Sequence, residues 1–353
     1  MKNIFNEISK KLDFYQDVSK SIESKKTPLL LTGVSSIHKA HLALALCELK
    51  PCCIICDTET SARRICDDIN SFSHEETACL FPAKDFNFAY VDSFSREYEH
   101  KRIEALSKIK NGISKIIVTT VEAAMQGTIT PSALEKYSFD IKCGEDIDLK
   151  SLVSSLVSAG YTECEQIEGP AQFSVRGGIA DIFPVQSPLP YRIELWGDTV
   201  ESIHTFEIES QRRLEKTKSF TVSPAVEIIF PSDEILSEKI KEISKKPRGK
   251  KADKIKEKLA ADLEDVEAGI SLNNLDKYYS LAYSECCSVV DYFKNDIIII
   301  SENSNCKEQA KSVLSQLSED IKMLYEDGIL FKSLDGFYCT YACLLYTSPS
   351  PRD

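Results

Sequence analysis

The sequence predicts an α/β protein in which a parallel α/β domain is split by an inserted α+β domain with an antiparallel sheet. Three observations predict it. From residue 28 to residue 124, short apolar runs alternate with segments of helical period, the pattern of a parallel sheet covered by helices. Residues 172–206 read instead as four short strands joined by tight turns, an antiparallel meander. A further apolar run, DIIII at 296–300, follows the meander and supplies a strand that rejoins the first sheet.

At 353 residues the chain is too long for one core and suggests two or three domains. Hydrophobic content of 42% and charged content of 28% are ordinary for a soluble protein. No run approaches the ~18 apolar residues of a membrane span, and MKNIFNEISKKLDFYQ has no apolar signal core, so a cytoplasmic location without membrane contact is expected. A net charge of −12 weighs against sequence-independent DNA binding by this segment. The thirteen cysteines read as reduced, buried, small apolar residues. Cys53 and Cys56 form a CxxC, but it lies inside an apparent buried strand and no second pair follows at zinc-ribbon spacing, so no metal site is expected.

The first domain is assigned to 1–136. Ile4, Phe5, Ile8, Leu12, Tyr15 and Val18 predict a helix over 2–23. PLLLT at 28–32 predicts a short buried strand, followed by a loop from Gly33 to Ala40 and a helix over 41–49. Strand, glycine loop and helix are the setting of a phosphate-binding loop, G-x-x-x-x-G-K-[ST]. Gly33 and Lys39 are in register, but His38 replaces the second glycine and Ala40 the hydroxyl residue that would hold magnesium. This is a degenerate nucleotide loop, expected to work without ATP. Strands follow at 52–56, 78–81 and 115–119. Asp57-Thr58 caps a helix to about residue 72, and Ser95 caps one whose stripe is Ile103, Leu106 and Ile109, with His100 in a structural role. A further helix starts at 120–124.

The second domain is assigned to 137–225. A strand at 137–143 precedes a helix at 148–159, capped by Asp148 and ended by Gly160. In the strand 172–176, Phe173 and Val175 take one face and Gln172, Ser174 and Arg176 the other. Gly177-Gly178 turns into 179–183, which Pro184 stops. A turn at 187–190 leads to 191–196, and Gly197-Asp198 leads to 200–206. Such a sheet buries one face and offers the other. Arg176, Arg192 and the single tryptophan, Trp196, are assigned to the offered face; Arg192 and Trp196 share it by parity, with Glu194 between them. Exposed arginine beside an aromatic is typical of a binding hot spot. On residue types alone, the commoner arrangement has Trp196 facing the core and the arginines as plain surface charge.

The third segment is assigned to 226–341. Residues 237–258 hold ten Lys or Arg against four Asp or Glu. They read as a solvated helical hairpin broken at 247–249 and neutralised by the acidic stretch 260–267, rather than as a nucleic-acid or polymerase contact. Residues 278–293 carry paired aromatics and Cys286-Cys287, and a helix is expected at 304–318. The closing ACLLYTSPSPRD, 342–353, has no period; it reads as a non-native tail joined to a fragment of a longer protein.

EGPAQFSVRGGIADIFP and PYRIELWGDTVESIHTFEIESQR resemble the second domain of the bacterial transcription-repair coupling factors (Mfd), and more loosely that of UvrB, the helicase subunit of the excision nuclease. The likeness extends over roughly 27–335. It implies docking onto UvrA, the damage sensor, through Arg176, Arg192 and Trp196, the last where relatives commonly carry phenylalanine. It also implies a helicase-like, P-loop-type first domain that has lost its ATP site, with no catalytic residues and no cofactor. ATP and magnesium would belong to the motor of the parent, an ATP-dependent DNA translocase that contacts double-stranded DNA and releases stalled RNA polymerase. The lysine-rich helical pair and Val289-Val-Asp-Tyr292 have counterparts in that family. The short run between Tyr90 and Arg96 leaves no room for UvrB's long aromatic β-hairpin. The expectation is a monomeric adaptor module; the alternatives are a divergent UvrB-type helicase fragment or an autoinhibitory scaffold for the motor.

Overall fold

The computed structural model describes residues 11, 13–89, 95–249 and 251–346. In chain order the first elements are α1 (Asp13–Glu23), α2 (Ser36–Leu46), β1 (Cys52–Cys56), α3 (Glu59–Ser73), β2 (Ala78–Phe81), α4 (Glu97–Lys110), β3 (Ile116–Thr120), α5 (Val121–Met125) and α6 (Pro131–Lys136). Next come β4 (Phe139–Lys142), α7 (Leu149–Ser158), β5 (Thr162–Glu163), β6 (Gln172–Arg176), β7 (Ile179–Ile182), β8 (Tyr191–Trp196), β9 (Thr199–Phe206), β10 (Arg213–Thr217) and β11 (Ser219–Val222). The chain continues through α8 (Asp233–Ile243), α9 (Ala252–Glu267), α10 (Tyr279–Ala282), β12 (Ile297–Ile300), α11 (Asn303–Glu326) and α12 (Tyr341–Tyr346).

β12, β1, β3 and β2 form a parallel sheet in that order, with Cys52 opposite Ile297 on one side and Ile116 on the other. Every residue of β1 and β3 is buried, because helices cover both faces and each strand therefore reads as an unbroken apolar run. Cys52, Ile54, Ile116 and Val118 pack under α2 and α3; Cys53, Ile55 and Ile117 pack on the other side with Ile103, Leu106 and Met125. Cys53 and Cys56 thus face opposite sides of the sheet, and burial pushes the Cys56 thiol up to about 12. Thr58 and Thr120 cap α3 and α5, accepting hydrogen bonds from the amides of Ser61 and Ala123.

The expected strand at 28–32 does not form. Leu29 is exposed, Leu30 is 86% exposed, and only Leu31 packs against the core. β1 already has both neighbours, β3 and β12, and a run opening on Pro28 brings one donor fewer to any other edge. The part of the first expected helix that precedes Asp13, apart from Lys11, lies outside the described residues, as do residues 90–94. α11 runs eight residues beyond its expected end, to Glu326. Ala342–Tyr346, read from the sequence as the start of a tail, lies in α12, where Leu344 is buried; 347–353 lie outside the described residues.

The second sheet runs β10-β9-β8-β7-β6-β5, antiparallel except for the β5–β6 pair. Gly177 and Gly197 take positive φ (60° and 62°) in the two hairpin turns, a conformation that a Cβ would strain. Phe173, Ala180, Ile182, Ile193 and Ile203 face the main core together with Leu152 and Leu156 of α7. β4 pairs with β11 apart from both sheets. α8 and α9 form the lysine-rich pair, and Lys241 in the last turn of α8 meets Glu267, the last residue of α9, at 2.5 Å.

A buried ionic network ties the layers together, and no sequence pattern announced it. Arg102 of α4 is fully buried and donates to Glu227 Oε1 (2.7 Å), Gln126 Oε1 (2.9 Å) and Gly127 O (3.1 Å). Lys84 Nζ lies 2.9 Å from Glu227 and 2.8 Å from Asp276. Burial pushes the Glu227 carboxyl up; Arg102 and Lys84 outweigh it and hold the group below its ordinary value.

Candidate partner-binding face

The β6–β9 sheet has a second face, and pairing register decides what stands on it. Arg176 is opposite Ile179, Asp181 opposite Arg192, Ile179 opposite Glu194, and Trp196 opposite Thr199. Period 2 puts all of these on the side away from the main core. Arg176, Arg192 and Trp196 therefore share the offered face, and the alternative with Trp196 in the core does not hold: the indole is 80% exposed.

The three residues differ in how free they are. Arg192 donates from Nε to Asp181 Oδ1 (2.7 Å) and from Nη2 to Asp181 Oδ2 (2.8 Å), the two-pronged geometry of a strong charge-assisted pair. It also donates to the Gln211 side-chain carbonyl at 2.8 Å, and its guanidinium lies 4.3 Å over the buried Phe206 ring. Its side chain is only 14% exposed. The bond to Asp181 keeps its pKa above the ordinary arginine value. Arg176, by contrast, is 58% exposed and has one contact, Nη2 to Asp181 Oδ2 at 3.4 Å. Glu194, between Arg192 and Trp196, is paired with Arg213 and accepts from Ser202 Oγ at 2.7 Å. Sequence reasoning missed Asp181, Gln211 and Phe206. The signal for Asp181 was its alternation in IADIF, which sets it on the face of β7 opposite Ala180 and Ile182; the register that makes it a neighbour of Arg192 was not in the sequence.

The residues read as a degenerate nucleotide loop lie elsewhere, and the expected loop over 33–40 is shorter than that: the helix begins at Ser36, so His38, Lys39 and Ala40 stand in the first turns of α2 and, of the four, only Gly33 precedes it. Gly33 has φ 74°, and Ser35 precedes the helix with its Oγ 2.9 Å from His38 Nδ1. Lys39 Nζ is held by Glu302 Oε1 (2.5 Å) and Ser301 Oγ (3.0 Å), just past the end of β12. Ala40 is fully buried in the helix–sheet core and has no hydroxyl to offer a cation. Lys39 is thus matched by a carboxylate, and the position after it carries a buried methyl group where the working pattern carries a hydroxyl. Among the described residues no helix is long and apolar enough to cross a membrane.

Residues 139–227, which hold this sheet and its face, match the family described as the UvrB interaction domain. The wider chain is similar to transcription-repair-coupling factors. That of Bacillus subtilis (strain 168) is 32% identical over 339 residues, 93% of this chain and 29% of the relative. Those of Staphylococcus epidermidis and Haemophilus influenzae are 26% and 25% identical over 85% and 76% of this chain, and over 26% and 22% of their own lengths. The chain carries a UvrB interaction domain and is homologous, over nine-tenths of its own length, to the transcription-repair-coupling factors. It spans less than a third of the length of these relatives.

Proposed function

We propose that this chain is an adaptor of transcription-coupled nucleotide excision repair, which docks UvrA through the outer face of the β6–β9 sheet and so brings repair to RNA polymerase stalled at a lesion. The observation that carries the reading is Trp196, an indole held 80% exposed on an ordered sheet inside the matched domain, with Arg176 exposed on the same face. An exposed aromatic beside an arginine is the pairing that concentrates binding energy at interfaces. The ATP-dependent translocase, its magnesium site and the contacts to DNA and polymerase are assigned to parts of the longer relatives that this chain does not match. The division at 136/137 and 225/226, with the first and third segments making one helicase-like domain whose nucleotide loop is inactive, belongs to the same proposal.

Titration calorimetry of the purified chain with UvrA tests it. Arg176→Ala and Trp196→Ala are each expected to cost about 2–4 kcal/mol, roughly 30- to 1,000-fold in Kd. Wild-type affinity in the double variant would move the site off this face.

A further inference from the structure

Two partly exposed thiols, far apart in the chain, are brought together at the end of α5. Residues 124–128 hold both of the segments that carry them. Gly127 N donates to Phe337 O (2.8 Å) and Cys339 N to Met125 O (2.9 Å), and Gln126 stands opposite Tyr338, so 337–339 runs antiparallel along 125–127. Thr128 N donates to Cys287 O (2.8 Å), and Ser288 Oγ donates to Ala124 O. The Cys339 thiol reaches that same Ala124 carbonyl at 3.8 Å and Met125 O at 3.4 Å. The two segments thus converge on Ala124, and there the Cys286 and Cys339 thiols are hydrogen-bonded to each other. That bond, then burial, pushes the Cys286 thiol well above its ordinary value. Both sulfurs remain partly open to solvent, whereas the adjacent Cys287 is buried with its thiol directed to Ile129 O (3.8 Å).

We propose that Cys286 and Cys339 are a redox modification site: a peroxide converts the pair into a disulfide that fastens 337–339 to the turn at 286–288. The inference does not depend on the docking reading. The Cys339 sulfur, as thiolate, attacks one oxygen of hydrogen peroxide; the O–O bond breaks, the departing hydroxide takes a proton to become water, and Cys339 becomes a sulfenic acid. The Cys286 sulfur then attacks the Cys339 sulfur; the S–O bond breaks and the hydroxide leaves with the Cys286 proton as a second water. Two thiols lose two electrons and the peroxide gains them. Cys339 is the attacking sulfur because Cys286 holds its proton more tightly, and only the thiolate is a good nucleophile. In the reduced chain, main-chain hydrogen bonds that can open locally tie 337–339 to 125–127. A covalent link to a segment distant in sequence removes that opening. It does so beside the buried ionic network, since Gln126, opposite Tyr338, accepts from Arg102 at 2.9 Å.

The test uses the full chain carrying Cys343→Ser, which removes the exposed thiol of α12. The chain is treated with hydrogen peroxide, quenched with catalase, alkylated without reductant and mapped by tandem mass spectrometry. The proposal predicts one dominant linked peptide pair, Cys286 to Cys339, short of two hydrogens and released by dithiothreitol. Adding Cys286→Ser should leave the Cys339 sulfenic acid unresolved and trappable by dimedone, whereas adding Cys339→Ser should abolish the link and cut dimedone labelling of Cys286 to about a tenth of that seen at Cys339. Amide hydrogen exchange at 337–339 should slow about tenfold in the linked chain and recover on reduction. Both cysteines recovered as free thiols, after a treatment that oxidises the partly exposed Cys143 or Cys164, would overturn the proposal. So would a link made through Cys287, or sulfinic acid at Cys339 with no link. Unchanged exchange at 337–339 in a chain shown to be linked would overturn the fastening. Should Cys286→Ser or Cys339→Ser fail to fold, the mapping and exchange of the Cys343→Ser chain decide the question without them.

Discussion

Trp196 is exposed where a tryptophan is ordinarily half-covered, and that makes a clean separation of stability from binding. Because the indole touches little, Trp196→Ala should leave the unfolding free energy within about 0.5 kcal/mol of wild type, measured in urea; a loss above about 2 kcal/mol would place the ring in a core. His100 on α4 behaves in the opposite way. Its ring is mostly buried, its Nε2 has no hydrogen-bond partner, and burial, helped by Arg96, lowers its pKa from 6.5 to about 4. The folded chain therefore binds fewer protons than the unfolded chain between those two values. Stability should fall as pH drops from 6.5 towards 4, and His100→Gln should flatten that part of the curve by on the order of 2 kcal/mol, read from urea midpoints across pH. An unchanged slope in the variant would show that His100 does not titrate in this window. At this scale the sequence was half legible. Parity put Arg192 and Trp196 on one face, but the partner that occupies Arg192 comes from another strand, and a strand does not state its register with its neighbour.

At the scale of elements, the parallel strands were legible because β1 and β3 are buried on both faces and so consist of little but apolar residues. The same rule failed at 28–32, where an apolar run opening on a proline stays outside a sheet in which β1 already has β3 and β12 on its two sides. The network around Glu227 was not legible at all. Lys84, Arg102, Glu227 and Asp276 are far apart in the chain and are of residue types normally read as surface. Their burial makes a definite prediction. Arg102→Met leaves Glu227 short of a partner inside the protein and should cost about 3–5 kcal/mol in urea unfolding. Arg102→Met/Glu227→Leu should recover a large part of that loss, since two apolar groups leave no orphaned charge. A double variant less stable than the single would show that the network contributes more than charge compensation. The pair α8 and α9 follows its charge pattern, with Glu267 at the acidic end of α9 meeting Lys241.

For the whole molecule, the chain leaves its parallel sheet after β3, builds the second sheet, and returns with β12 beside β1. The isolated run DIIII made that return visible in the sequence, because consecutive β-branched residues favour a strand; β12 takes the edge of the sheet, with Ile297 buried and the other three isoleucines half-buried. A chain ended before Ile297 would expose the edge of β1 and lose α11, and should fail to show one cooperative transition in a thermal melt; a sharp melt near the wild-type temperature would mean that β12 is dispensable. The proposed docking uses the other sheet, and there the single tryptophan allows a direct observation. The most direct measurement is the 19F resonance of the chain labelled with 5-fluorotryptophan, followed as unlabelled UvrA is added. Docking through the outer face predicts that this one resonance shifts or broadens in proportion to complex formed, because Trp196 leaves water for an apolar recess. Binding seen by sedimentation with the resonance unmoved would contradict the account, and would send the search for the interface to another surface of the chain.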